Sequence, residues 1–308
     1  MLHTTRYLLP ATCYLLHTIP MSLTIQQLLT RTTAYFTEKG LESPRLRAEI
    51  LIAETLALSR IELYTNFDRP IDQGDLEKLR RMVKRAAAKE PVEYIVGRTE
   101  FYSLTFAVNS SCVIPRPETE LLVERSIEFL RNRGGPQLVC DLCTGSGCIA
   151  VAIAKNFAAA SIIATDICDR VLAVAAENAS RHGVSDRVRI LKGDLFEPVL
   201  PQLDAEKFDL VVSNPPYVSS SEFEALDGGV RRHEPGLGLH GGRDGLNVIR
   251  RIVAEVPAFL KETGALMLEI GHRHGHVVRE LFKASGRFER IEIHKDFAGI
   301  DRVVVGRT

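Results

Sequence analysis

Near the middle of the chain an apolar run, Phe208-Asp209-Leu210-Val211-Val212-Ser213, leads straight into Asn214-Pro215-Pro216-Tyr217. Each proline holds φ near about −65°, lacks an N–H, and disfavours the helical region for the residue before it. The carbonyls of such a corner are fixed outward with few alternatives. Asn214 places a neutral side-chain acceptor beside the Pro215 carbonyl, and Tyr217 offers a flat aromatic face. Two oxygen acceptors a hydrogen bond apart suit a planar NH₂ group. The bland reading is a Pro-Pro turn that only happens to end a strand in a cleft.

A second constellation lies upstream, in Asp141-Leu142-Cys143-Thr144-Gly145-Ser146-Gly147-Cys148-Ile149-Ala150. Gly145 and Gly147 allow a tight turn and close approach of backbone to a ligand, and the following helix aims free N–H groups at the same spot. Asp166 closes the next apolar run, 19 residues past Gly147. There a carboxylate accepts from a ribose diol. Together these imply a nucleoside-containing cofactor without saying which. Gly193-Asp194-Leu195-Phe196 follows a third run. Asp194 can accept from an adenine amino group with Leu195 or Phe196 on the ring, although an aspartate that merely caps fits nearly as well. Cys140-x-x-Cys143 has metal or redox spacing but no second pair to complete it, so no metal is expected.

The elements that must position these residues read as alternating strands and helices from Gln137 on. Strands are predicted at 138–142, 161–165, 188–191, 208–212 and 265–270, and helices at 149–154, 171–179, 247–260 and 276–284. Phe288–Ile293 and Arg302–Val305 then close as an antiparallel hairpin at one edge. Such alternation means a mostly parallel sheet covered on both faces. Phe101–Val108 alternates and reads as strand or hairpin, and Ile114-Pro115-Arg116-Pro117-Glu118-Thr119-Glu120 breaks it to open a helix. Upstream only helices are predicted: Thr24 is available as a cap, Ser43-Pro44 opens one helix, and Asp75 begins another with Leu76, Leu79, Val83 and Ala86 on one face. The divisions expected are an extension over 1–20, a helical substrate-binding domain over 21–97, a hairpin or linker over 98–117, and a catalytic domain over 118–308.

The 308 residues, 45% hydrophobic and 25% charged, carry 39 bases against 39 acids, which excludes collagen-like, disordered and coiled-coil chains. That balance also argues against a protein that blankets nucleic acid, and residues 21–97 hold 12 Lys/Arg against 11 Asp/Glu. Six cysteines are too few for a disulfide scaffold and fit a reducing cytoplasm. No apolar run approaches the ~18–20 residues of a membrane span. Residues 1–20 make a poor signal peptide, and Met21-Ser22-Leu23-Thr24 looks like a natural start; an extension that the protein can spare, or a start assigned too early, is expected there. His272, His274 and His276 alternate, yet they read as solvated loop residues. The Gly241–Gly245 stretch is expected to be a mobile flap near the cofactor, with a structural loop fitting almost equally well.

Asp141–Gly147, Asp166, Gly193-Asp194 and Asn214-Pro215-Pro216-Tyr217 resemble the S-adenosylmethionine-dependent amino-methyltransferases. Phe101-Tyr102, Ile114–Glu120, His233-Glu234-Pro235 and Gly241-Gly242-Arg243-Asp244-Gly245-Leu246 resemble, more narrowly, the release factor glutamine methyltransferase family (PrmC, also called HemK). The match runs from about residue 24 to the end. It implies a Rossmann-like methyltransferase sheet with a small all-helical N-terminal domain. It also implies methylation of the glutamine in the Gly-Gly-Gln loop of class 1 peptide chain release factors, with S-adenosylhomocysteine as the other product. Cys143, Thr144, Gly145, Ser146, Gly147, Asp166, Asp194, Leu195 and Asn214 are then the cofactor-binding candidates. Asn214, Pro215, Pro216 and Tyr217 are the catalytic ones, and Phe101, Arg116 and Pro117 join them around the substrate, with Tyr217 and Phe101 on either side of the amide. Cys143 departs from the family, many members of which carry glycine there; if the position needs positive φ, a side chain strains the turn. A monomer acting on release factors is expected, with no DNA or membrane partner.

Two rivals share parts of the pattern. A DNA N6-adenine methyltransferase shares the tetrapeptide, but it must flip a base and hold a duplex, usually with a basic recognition region. An NAD-dependent dehydrogenase accounts for the glycine turn and Asp166 and leaves Asn-Pro-Pro-Tyr unexplained. A nucleoside-binding regulator without catalysis has no physical reason to keep a clamp for a methyl acceptor.

Overall fold

The computed structural model describes residues 23–200 and 206–308. The extension expected over 1–20 lies outside the described residues. Contacts divide the chain into two compact units between Val96 and Gly97.

The first unit is helical: α1 (Ile25–Glu38), α2 (Pro44–Leu56), α3 (Arg60–Thr65), α4 (Gln73–Ala87) and α5 (Val92–Val96). Thr24 caps α1 in a reciprocal box, its hydroxyl accepting from Gln27 N–H while the Gln27 side chain accepts from Thr24 N–H. Ser43 does not cap α2. Its backbone is left-handed, at φ 47°, so its side chain makes no capping bond and Pro44 alone fixes the first turn. The next helix starts before Asp75, because Asp72 supplies the cap by accepting from Asp75 N–H. Leu76, Leu79, Val83 and Ala86 do form its buried face, packed with Phe36, Leu51, Ile52 and Leu63.

In the second unit a hairpin, β1 (Arg98–Phe101) and β2 (Leu104–Ala107), precedes α6 (Glu120–Arg133). Then come β3 (Gln137–Leu142), α7 (Cys148–Asn156), β4 (Ala160–Asp166), α8 (Asp169–Arg181), β5 (Val188–Lys192) and β6 (Phe208–Ser213). Two short helices, α9 (Ser220–Ala225) and α10 (Gly228–His233), lead to α11 (Asn247–Glu255), β7 (Leu260–Glu269), α12 (Gly275–Ala284), β8 (Arg290–Lys295) and β9 (Asp301–Arg307). The sheet order is β5-β4-β3-β6-β7-β9-β8, parallel through β7 and antiparallel beyond. The α/β reading therefore holds, with β9 inserted beside β7 and β8 at the edge.

One helix is shorter than its pattern predicts. α11 ends at Glu255 and a single tight turn, Val256–Ala258, leads to β7 at Leu260. Pro257 has no N–H to extend the helical ladder. Two apolar layers enclose the sheet, one built on α6, α7 and the hairpin, the other on α11 and α12.

Register fixes the site. Leu142 is paired with Thr165 and with Ser213, and Ser213 with Leu268. The next residues, Cys143 and Asn214 just past their strands and Asp166 and Glu269 as the last residues of theirs, consequently stand side by side at its carboxyl edge. The sheet order reverses direction at β3, which has β4 on one side and β6 on the other. Open α/β sheets bind ligands in the crevice such a reversal creates.

Candidate active site

A cleft of about 400 Å³ opens at that edge, within the size range of small-molecule sites. Its walls come from the loop after β3, the ends of β4, β5 and β6, the stretch 110–116, and residues around Pro235–His240. Cys143, Thr144, Gly145, Ser146, Asp166, Asp194, Leu195, Arg116 and the whole Asn214–Tyr217 corner line it.

The glycine loop is held from below. Thr144 N–H donates to the Thr165 carbonyl at 3.0 Å, and Gly145 N–H donates to Asp166 Oδ2 at 3.1 Å. Asp166 Oδ1 accepts from Cys168 N–H at 3.1 Å, so two backbone donors fix the carboxylate at the cleft wall. Burial pushes its pKa up, partly offset by those donors. Gly145 (φ 56°) and Gly147 (φ 79°) both take left-handed conformations. Gly147 does not line the cleft; a Cβ there would come within 3.1 Å of the Ala175 Cβ, so this glycine lets α7 pack on α8. Cys143 also takes positive φ, 58°, as the departure from glycine foreshadowed. Burial pushes its thiol up to about 12, which keeps it protonated at neutral pH.

Beneath this loop Asp141 is fully buried. Its Oδ2 accepts from Thr144 Oγ1 at 2.6 Å and from Ala150 N–H at 3.2 Å, while Oδ1 has no partner. Desolvation lifts its pKa to about 7. The Ser146 hydroxyl is likewise buried and unpartnered. Polar groups kept dry and half-satisfied beside a glycine turn suit a ligand that brings its own donors and acceptors. The chemistry of the wall fits a nucleoside-bearing cofactor.

On the opposite lip Asp194 is paired with Arg251, Oδ1 at 3.1 Å and Oδ2 at 3.0 Å from the guanidinium, both side chains about half exposed. Arg251 was not singled out from the sequence. Leu195, at φ 50°, lines the cleft, although it is nearly fully buried and belongs to the adjoining apolar layer. Phe196 does not face the ligand, because it stacks on Phe259 in the core at 4.3 Å between ring centroids.

At the corner, Asn214 Nδ2 donates to Thr119 Oγ1 at 3.1 Å. The amino end of the side chain is thereby engaged, and Oδ1 remains as the acceptor end. No backbone hydrogen bond among the described residues uses the Pro215 carbonyl. The Tyr217 hydroxyl donates to Glu269 Oε1 at 3.0 Å, which anchors the ring. Burial, reinforced by the Glu269 charge, pushes the phenol pKa well up.

Three expectations around the substrate are corrected. Phe101 does not line the cleft: it is 1% exposed and packs edge-on against Phe106 in the layer under the hairpin. Pro117 is exposed and opens a one-turn helix, Pro117–Thr119, that carries Thr119 under the corner. Of the two readings of Gly241–Gly245, the contacts favour the structural loop over the flap. The loop's backbone is bonded to Val218, Ser220 and Asn247, and a Cβ at Gly245 would lie 2.2 Å from the Tyr217 carbonyl oxygen, so the stretch buttresses the corner from behind. Arg116 does line the cleft, but its guanidinium pairs with the buried Glu234, which also accepts from Ile114 N–H. His272 and His276 are exposed, whereas His274 is half-buried beside Gly245 and Gly271. Among the described residues no His, Cys, Asp and Glu cluster has the arrangement of a metal site.

Thr119, Glu234, Glu269 and Asp141 received no role from the sequence alone. Glu269 had a readable signal, a single acid ending the apolar run Ala265-Leu266-Met267-Leu268. Thr119 had none, because one threonine in a proline-rich turn looks like any cap.

Residues 27–97 match a family model described as the PrmC N-terminal domain, and residues 118–226 one described as a methyltransferase small domain. A release factor glutamine methyltransferase of Geobacter sulfurreducens is 43% identical over 284 residues, covering 92% of this chain and 96% of that one. One of Rhodopirellula baltica is 39% identical, covering 91% and 95%. The solved hMettl16 catalytic domain, in complex with a MAT2A 3′UTR hairpin, shares 14% identity and a TM-score of 0.55, covering 90% of this chain and 91% of that one; at that identity the likeness shows the fold alone. A methyltransferase sheet, a helical N-terminal unit and identity of this level sustained across both place the chain in the release factor glutamine methyltransferase family.

Proposed function

We propose that the protein methylates the side-chain amide nitrogen of the glutamine in the Gly-Gly-Gln loop of class 1 peptide chain release factors, with S-adenosylmethionine as donor and S-adenosylhomocysteine as product. The observation that carries this reading is the engagement of Asn214 Nδ2 by Thr119, which leaves Oδ1 and the Pro215 carbonyl as two acceptors at the rim of a nucleoside-type cleft. The relatives' name supplies the macromolecule, and the chemistry of the corner supplies the reacting group.

An amide nitrogen is a poor nucleophile because its lone pair is delocalised into the carbonyl. The corner answers by geometry. Asn214 Oδ1 and the Pro215 carbonyl each accept one N–H of the substrate, which fixes the plane of the NH₂ and the direction in which its nitrogen faces. Tyr217 packs on that plane. When bound, the cofactor supplies an electrophilic methyl group on an already activated sulfonium. Asp166 would receive the ribose hydroxyls, and the backbone of Thr144–Ser146 would receive the polar end. Positioning and fixed dipoles then provide the acceleration. The substrate amide is not deprotonated beforehand, and no metal is needed. In this reading the protein acts as a cytoplasmic monomer on release factors and does not act on DNA. Among the described residues no helix is long and apolar enough to cross a membrane.

Incubation with methyl-labelled S-adenosylmethionine and a purified release factor tests the reading. Label should enter the wild-type factor and be absent from one whose Gly-Gly-Gln glutamine is replaced. Equal labelling of both, or labelling of duplex DNA instead, overturns it.

A further inference from the structure

Large apolar side chains that stay exposed are spread unevenly over the second unit. Among its described residues they are Ile167, Leu200, Leu237, Val277, Phe297 and Ile300. Ile167 and Leu237 line the cleft. Val277 stands in the first turn of α12, just past the carboxyl end of β7, and Phe297 and Ile300 sit in the turn that joins β8 to β9. All but Leu200 therefore belong to the edge of the sheet that carries the site. One exposed apolar side chain needs no explanation, whereas a row of them along one functional edge marks an interaction surface.

Phe297 is the extreme case, fully exposed on a turn that is pinned in place. Asp296 Oδ1 accepts from Ala298 N–H at 2.9 Å and from Ile300 N–H at 3.0 Å. Its Oδ2 accepts from the Arg302 guanidinium at 3.1 and 3.0 Å, and Asp296 N–H donates to the Ile300 carbonyl at 2.9 Å. A loose loop could fold an apolar ring back onto the surface; this one holds the ring out. A rigid anchor of that kind loses little freedom when a partner closes on it.

Register places the turn beside the corner. Ser213 is level with Leu268, and Leu268 with Val304, so β9 lies two strand spacings from the end of β6, roughly 10 Å across the sheet. Asp301, where the turn ends, is three residues nearer the carboxyl edge than Val304, roughly 10 Å beyond that level. The loop 271–275 fills the space between: Gly271 packs on the Tyr217 ring, and Gly275 against the Asp301 carboxylate. The two cations of the turn are already matched, Lys295 by Asp301 at 2.9 Å and Arg302 by Asp296 at 3.0 Å. The turn therefore keeps no unmatched cation for a phosphate backbone, and what it presents is apolar.

We propose that the β8–β9 turn is a docking point for the protein that carries the reacting glutamine, with Phe297, flanked by Ile300, entering an apolar pocket on that protein while the glutamine side chain lies in the cleft. This rests on the function proposed above and adds where the macromolecule is held. A glutamine side chain in the corner does not reach Phe297, so an occupant that touches both is a folded partner.

The test is single-turnover methyl transfer to a purified release factor, with enzyme in excess and its concentration varied, for the wild type, Phe297→Ser and Phe297→Leu. Phe297→Ser should raise the half-saturating concentration about ten- to thirtyfold, as removal of an aromatic anchor does, while the rate at saturation stays within about twofold. Phe297→Leu should recover most of the loss, and the ratio of Phe297→Ser to wild type should persist at high salt, because the contact is apolar. Melting temperature and the Kd for S-adenosylhomocysteine should not move, since a fully exposed ring has no packing in the fold to lose. An unchanged half-saturating concentration in Phe297→Ser, a loss confined to the rate at saturation, or a ratio that vanishes at high salt overturns the docking point and leaves the function standing. A wild type that leaves the release factor unlabelled overturns the functional reading, and the docking point with it.

Discussion

Asn214 has two chemically opposite ends on one planar group, and only its oxygen can receive a substrate N–H. Replacing it by alanine removes one preorganised acceptor, and turnover should fall about 10²–10³-fold. Asp166 is anchored by Gly145 and Cys168 N–H groups, so Asp166→Ala loses the ribose acceptor and leaves two backbone donors unmatched. A hydrogen bond to a charged group contributes about 1.5–3 kcal/mol, so the Kd for S-adenosylhomocysteine should rise roughly 10- to 150-fold in calorimetric titration. An unchanged Kd would remove Asp166 from the cofactor wall. Cys143 holds a left-handed conformation that costs a side chain about 1–2 kcal/mol, of which glycine's greater freedom in the unfolded chain returns about half. Cys143→Gly should therefore raise stability by up to about 1 kcal/mol in urea unfolding; a clear loss would mean the thiol's packing outweighs the strain. At this scale the sequence was informative where residue type alone carries the chemistry. Asn214, Tyr217 and Asp166 stand in the cleft wall where their types and spacing placed them. Thr119 and Glu269 escaped because the hydrogen bonds they accept, from Asn214 and from Tyr217, join segments far apart in the sequence and exist only in three dimensions.

Strand register turns scattered residues into a site. The pairing of Leu142, Thr165, Ser213 and Leu268 across four strands puts the residues that follow them in one row. The alternating pattern foretold the strands to within a residue or two, with β7 the exception, and the hairpin β1–β2 was visible in its aromatic alternation. What the pattern lacked was the direction of individual side chains. Phe101 sits in an element read correctly, yet it points into the layer with Phe106 instead of toward the cleft. Gly241–Gly245 misled for a related reason: glycine permits mobility and close packing alike, and only the contacts distinguish them. At Gly245 the φ is 79° and a Cβ would meet the Tyr217 carbonyl oxygen at 2.2 Å. Gly245→Ala should therefore destabilise the fold by about 1–3 kcal/mol, as overpacking does. Activity should fall with it, because the displaced atoms belong to the corner. A variant with unchanged melting temperature and unchanged rate would show that the corner does not depend on this buttress.

For the whole molecule, two fully buried acids set how stability responds to pH. Asp141 and Glu269 keep their protons to about 7 in the folded chain, against ordinary values of 3.8 and 4.5. Between those limits the folded state binds more protons than the unfolded one, so stability is greatest at mildly acid pH and declines as pH rises through 7. Below about pH 4 the trend reverses, since Asp244, held down to about 2 by Arg250, and Glu49, held low by Tyr64 and Arg60, lose their partners on protonation. Thermal melting of the protein alone should thus give a higher Tm at pH 5 than at pH 8, and Glu269→Gln should flatten the difference. A Tm that rises steadily from pH 5 to 8 contradicts this balance. The α/β architecture and the helical first unit were legible because periodicity and capping are local properties. The buried acids' titration was not, because it depends on how much protein closes over them.

The account turns on the corner as a holder of an amide NH₂, and single-turnover methyl transfer to a release factor, with the product mapped by tandem mass spectrometry, tests that most directly. The wild type should place one methyl group on the Gly-Gly-Gln glutamine, and Asn214→Ala should do so about 10²–10³-fold more slowly at saturating donor. A methyl group found on another residue, or an Asn214→Ala protein that keeps the wild-type rate, would contradict it.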